Sequence, residues 1–114
     1  MTSLLNVLKK DNSLIIIANG PSANEFHFGH IIDQFTNIAR INNYEINGFE
    51  KFVGTRTTIW CNGANQNLKK RNTSLDRIMV FIPPEILEKK GDKIHKRIQK
   101  RLGVQQEFYE LVSK

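Results

Sequence analysis

The chain has 114 residues, 39% of them apolar and 25% charged, with a formal net charge of +6. That length suits one domain around a single hydrophobic core, and no apolar run approaches the roughly 18 residues of a membrane span. The lone Cys61 excludes an internal disulfide, so the composition fits a reducing, cytoplasmic setting.

Met1–Lys10 has no basic region ahead of a long apolar stretch, and no small-residue cleavage site follows it. With Leu4, Leu5, Val7 and Leu8, it reads as a short amphipathic helix rather than a signal peptide. Leu14–Ala18 is β-branched, too short for a buried helix, and closed at once by Asn19-Gly20-Pro21-Ser22, which predicts an interior parallel strand. Phe28, Ile31, Ile32 and Phe35 lie at helical spacing, a helix or turn packed back on the sheet, and Asn37–Ile41 is a second strand. After the turn-rich Asn42–Lys51, Thr57–Cys61 is a third strand, ended by Asn62-Gly63, with a polar helix or loop over 64–74. Arg77–Ile82 is a fourth strand; Pro83-Pro84 stops it and starts a helix through Lys90. Ile94, Ile98 and Leu102 mark one face of a basic helix ended by Gly103, and Phe108, Leu111 and Val112 predict a last helix. Strands alternating with helices give an α/β class: one domain over 1–114, Rossmann-like, with an open, mostly parallel sheet of about four strands flanked by helices.

In such sheets ligands sit outside the carboxyl ends of the strands. Three Asn-bearing segments emerge there: Asn19-Gly20-Pro21-Ser22, Asn42-Asn43 and Asn62-Gly63. Gly20 lets backbone approach a ligand and Pro21 fixes the turn, while free N–H groups and the Ser22 hydroxyl suit a phosphate. Neutral amides can read sugar hydroxyls and base edges. The same residues are also the usual strand-terminating turns. Neither a G-x-G-x-x-G nor a G-x-x-x-x-G-K-[ST] motif occurs, and no Asp-x-Asp pair could hold a divalent ion on a diphosphate. His27 and His30 lack a Cys or carboxylate cluster, so no metal site is expected. His95 is expected to be solvated, and Cys61 to be packed rather than nucleophilic. The residues alone reach an α/β domain with a site for a phosphorylated small molecule.

Charge is uneven along the chain. Residues 1–68 hold five basic and five acidic side chains, whereas residues 69–101 hold eleven against four, a local +7. The alternative function is therefore a non-catalytic module that binds nucleic acid or an anionic membrane through Lys69–Arg101. The competing structural reading is a solvated helix face, with the Ile94, Ile98, Leu102 stripe packed on the sheet. Few aromatics accompany the cluster, so nucleic acid is not the expected partner.

In order along the chain stand Ala18-Asn19-Gly20-Pro21-Ser22, then Gly29-His30-Ile31-Ile32-Asp33-Gln34-Phe35, then Ala39-Arg40-Ile41-Asn42. Gly48-Phe49-Glu50-Lys51-Phe52-Val53-Gly54-Thr55-Arg56-Thr57 completes the series. Together they resemble the long motif of the donor-binding half of sialyltransferases, the eukaryotic-type enzymes and their bacterial relatives. The Pro21 turn is also similar to the N-G-P-S of a second bacterial sialyltransferase family.

The resemblance implies a CMP-sugar donor of the sialic-acid type, and a glycan or glycolipid acceptor in the complete enzyme. It implies donor binding by Asn19, Gly20, Pro21, Ser22, Asn42 and Asn62, with Arg40, Gly48, Glu50, Gly54 and Arg56 supporting the motif. It implies no cofactor and no metal. Two departures stand out. Leu14–Ile17 has no cysteine where vertebrate members place one, which fits a cytosolic bacterial relative. The family's second donor motif and its catalytic His belong to a carboxyl-terminal half that does not follow here, so the catalytic residue is unassigned. A base must deprotonate the attacking hydroxyl, so the isolated chain is expected to bind donor with weak or no turnover. An interrupted sheet also leaves an unpaired edge, and self-association to cover it is a further expectation. The expected location is the cytoplasm, with peripheral membrane attachment as the alternative that the basic segment allows.

Overall fold

The computed structural model describes residues 13–20, 26–71 and 77–112. The expected amphipathic helix at Leu4–Leu8, and the turn residues Pro21 and Ser22, lie outside them.

Five strands form one sheet in the order β1-β2-β3-β4-β5, each pair parallel. They are β1 (Leu14–Ile17), β2 (Asn37–Ile41), β3 (Ile59–Asn62), β4 (Arg77–Phe81) and β5 (Glu110–Val112). Strand order that follows chain order, with right-handed crossovers, sends every connection over the same face of the sheet. The helices are α1 (Gly29–Ile32), α2 (Glu50–Val53), α3 (Pro84–Lys90) and α4 (Lys93–Leu102).

Register and the two-residue side-chain period assign the faces. Ile38, Trp60, Ile78 and Val80 point to the covered face, where Trp60, Ile78 and Val80 share one core cluster with Ile94, Ile98 and Leu102 of α4; all seven are at most 2% exposed. The apolar stripe of the basic helix is therefore core, and only the flanking cations reach the surface. On the other face Leu14 and Ile16 are 50% and 60% exposed, while Ile41, Cys61, Met79 and Phe81 are half-buried. Ala39 and Ile59, in register with Ile16 on that face, are buried, so its exposure is concentrated at the β1 edge.

One expectation needs correction. The segment read as a last helix is a short 3-10 turn, Gln106–Phe108, followed by strand β5. Apolar residues at positions 108, 111 and 112 fit either period over so short a span, and the open edge of β4 decides the matter. Pairing of Glu110, Leu111 and Val112 with Met79, Val80 and Phe81 satisfies that edge, and Arg77 Nη2 bonds both Glu110 carboxylate oxygens at 2.8 and 3.0 Å. The sheet accordingly has five strands rather than about four. The helix or turn expected at Phe28–Phe35 is the helix Gly29–Ile32 followed by turns.

The connection ends behave as their residues dictate. Pro84 opens α3, where its missing N–H loses nothing. Gly103 closes α4 in the left-handed region, φ 75°, and its N–H donates to Gln99 O at 2.8 Å.

Candidate functional site

The carboxyl ends of β1 and β2 frame a cleft of about 320 Å³, lined by Asn19, Gly20, Arg40, Asn43, Tyr44 and Glu45 among others. Asn19 Nδ2 donates to Ile41 O at 2.6 Å, which ties the exit of β1 to the exit of β2 and sets the floor of the turn at Gly20. A larger cleft of about 560 Å³ lies on the other side of Gly20, between β1 and the helices α1 and α2. Its walls are aliphatic and aromatic, including Phe28, Ile31, Phe35 and Phe52, and offer no polar side chain to an anion. The smaller cleft is the candidate site.

Charge beneath it comes from Arg40, only 1% exposed on β2. Its Nε donates to Arg56 O (3.1 Å) and Thr57 Oγ1 (3.0 Å), and its Nη2 to Arg56 O (2.8 Å). Burial pushes its pKa down from the ordinary value, and the charge of Asp33 opposes this. Arg71, half-buried, lies over the ring of Tyr44 at 3.6 Å from the centroid and donates to Tyr44 O. Arg40 sits 5.9 Å from the same centroid. Two guanidinium groups thus flank one cleft-lining ring, an arrangement that favours an anionic ligand.

The segment after α2 is held by Asp33. Its carboxylate accepts from Thr55 N (2.9 and 3.0 Å), Thr55 Oγ1 (2.9 Å) and Arg56 N (3.0 Å). Burial raises its pKa, but the bonds from Arg56 and Thr55, with the Arg40 charge, outweigh burial and hold it below the usual carboxylate range. Arg56 Nη1 donates to Asp33 O (2.6 Å) and Phe35 O (2.8 Å), so Arg56 braces this loop from outside the cleft. Gly54, with φ 79°, leaves no room for a side chain, because a Cβ would lie 2.5 Å from Asp33 Oδ1. Gly48 (φ 88°) adopts a turn that an L side chain resists. Glu50 stands exposed in the first turn of α2.

Asn42 and Asn62 do not line the cleft with Asn19 and Gly20. They border a shallow apolar hollow of about 320 Å³ with Ile16, Ile41, Cys61 and Phe81. Asn42 is left-handed (φ 52°) and acts through its backbone, accepting Trp60 Nε1–H at 2.8 Å. Asn62 is 3% exposed; its Oδ1 accepts Ala64 N at 3.0 Å, while its Nδ2 has no partner. His95 is not solvated as expected: it is half-buried, with Nδ1 2.5 Å from the Tyr109 hydroxyl. Burial pushes the Cys61 thiol up, which keeps it protonated and unreactive near neutral pH.

Of the cleft residues, sequence reasoning named Asn43 but missed Tyr44, and it missed Arg71 as the cation over the Tyr44 ring and Asp33 as the loop's anchor. Asp33 lay inside the quoted series, so it had a signal. Arg71 had none beyond its charge, because its place over Tyr44 depends on a loop returning from β3.

The family model described as Glycosyltransferase family 29 (sialyltransferase) matches residues 9–85. No curated protein and no solved structure matches the chain significantly.

Proposed function

The chain belongs to glycosyltransferase family 29, the sialyltransferases, and from that premise we propose that it binds a CMP-sugar donor at the ends of β1 and β2. The observation carrying this reading is one cleft that unites the Asn19–Gly20 turn with the sealed cation Arg40. In this reading the donor phosphate lies by the Gly20 backbone, within the field of Arg40 and Arg71. Asn43 and Glu45, at the same cleft, offer amide and carboxylate groups to ribose hydroxyls. The arginines supply the positive charge, so donor binding is expected to survive a chelator.

Transfer to a glycan acceptor breaks the bond between the sugar's anomeric carbon and the CMP phosphate oxygen, and forms one to the acceptor hydroxyl. A base must take that hydroxyl's proton, and we assign no residue to this step.

Thermal unfolding with CMP, UMP, GMP and AMP tests the donor reading. CMP at a hundred times its dissociation constant is expected to add about 2.7 kcal/mol of stability. Asn19→Ala is expected to weaken CMP binding tenfold or more, since it frees the turn that presents Gly20. Equal responses to all four nucleotides, or an unchanged CMP response in Asn19→Ala, would sink the reading.

A further inference from the structure

A second cleft, of about 530 Å³, lies between α4 and the loop that follows β3. Lys70, Arg97, Lys100 and Arg101 line it with Gln66 and Leu68, and among the described residues no carboxylate does. Among the described residues none of the four cations is paired with an acid; the one ion pair, Arg77 with Glu110, lies elsewhere.

The walls are fixed before any ligand arrives. Arg101 Nη1 donates to Ala64 O at 2.8 Å and pins the loop to α4. Asn43 holds the loop's other side, donating from Nδ2 to Asn67 O (3.0 Å) and accepting Lys69 N at Oδ1 (2.8 Å). The stem of Lys70 runs close past Gly103, where a Cβ would lie 3.2 Å from Lys70 Cδ. Arg97 and Arg101 are four residues apart on α4 and so share a face. Arg97 Nε is buried from solvent with no hydrogen-bond partner among the described residues. Buried polar groups are normally satisfied, and a guanidinium N–H without an acceptor beside three further cations is short of an anion.

We propose that this cleft is a second anion site, distinct from the donor cleft, that takes a phosphate group. Arginine forks suit phosphate oxygens bidentately and the two lysines add point charge. The phosphate could be carried by a soluble ester or by a lipid headgroup; the chemistry at the cleft is the same. Because Asn43 belongs to the donor cleft and also pins this loop, occupancy here bears on the shape of the donor site.

The full chain, in low-salt buffer free of phosphate, is titrated with inorganic pyrophosphate by calorimetry. It is also sedimented with phosphatidylcholine vesicles with or without phosphatidic acid. The test variant is Arg97→Gln with Lys100→Gln, which spares the Arg101 bond to Ala64. The control is Lys89→Gln with Lys90→Gln on α3, the same loss of net charge away from the cleft. Saturable pyrophosphate binding, weakened at least tenfold by the test variant and not by the control, supports a soluble phosphate ligand. Binding to phosphatidic acid vesicles that follows the same pattern and is displaced by pyrophosphate supports a headgroup. Absence of both kinds of binding overturns the proposal, and so does equal weakening by the control. CMP binding is expected to persist in the test variant, so failure here and failure of the donor reading are told apart.

Discussion

Arg40 and Asp33 show how two charged side chains can hold a site without facing its ligand. Arg40 is sealed in the covered face of the sheet and spends its Nε and Nη2 donors on Arg56 O and Thr57 Oγ1. Asp33 holds the same segment from the other side through Thr55 and Arg56 N–H groups. Hydrogen bonds to a charged acceptor are worth about 1.5–3 kcal/mol each at most. Asp33→Asn is therefore expected to cost about 2 kcal/mol at neutral pH, because the amide keeps the shape but loses the charge and one acceptor. The folded-state carboxyl has its pKa depressed, so its contribution is complete above the unfolded value of about 3.9 and is lost as pH falls through the folded value. Urea unfolding from about pH 7 to about pH 3 checks this. The gap between the wild type and Asp33→Asn is expected to narrow toward the acid end, and a constant gap would assign the effect to packing instead.

At the scale of elements, the four-residue helices α1 and α2 are too short to be stable by themselves. They persist because they touch. Gly29 of α1 sits against the start of α2, where a Cβ would fall 2.1 Å from Glu50 O and 2.9 Å from Lys51 O. Both are backbone atoms, so the helices would have to part. Gly48 has open space around it and only its φ of 88° to defend. Gly29→Ala is thus expected to cost about 1–3 kcal/mol by overpacking, and Gly48→Ala about 1 kcal/mol by backbone strain. Thermal unfolding of the two variants gives the order directly. A larger loss at Gly48 would mean that α1 and α2 are not in close contact in solution.

For the whole molecule, the consequence of a singly wound sheet is that its two faces differ. Trp60, 0% exposed, stands on the covered face and donates from Nε1 to Asn42 O, while Ile16 on the other face is 60% exposed. Hydrophobicity alone does not distinguish them, but solvent contact does. Ile16→Lys is expected to change stability by no more than about 0.5 kcal/mol, against about 3–5 kcal/mol for truncating a buried aromatic such as Trp60 to Ala. Chemical denaturation measures both. A core-sized loss at Ile16 would show that something covers that face in solution.

Local residue pattern determined a good deal of this protein. The β-branched run Leu14–Ile17, the second strand Asn37–Ile41 and the fourth from Arg77 are strands as their composition dictates. The prolines after β4 and the glycine after α4 punctuate where their backbone preferences require. The ordered series from Ala18 to Thr57 was legible because its spacing survives in one dimension. Tertiary structure decided the rest. The edge of β4, and not the spacing of Phe108, Leu111 and Val112, made β5 a strand. The ends of separate strands brought Asn19 and Gly20 to Arg40 and Tyr44, and carried Asn42 and Asn62 to a different hollow. Arg71 reached the Tyr44 ring, and Arg97 the loop after β3, through contacts between residues far apart in the chain. Local propensity reports what one segment prefers; which segments share a cleft depends on strand order, register and the face to which each side chain points.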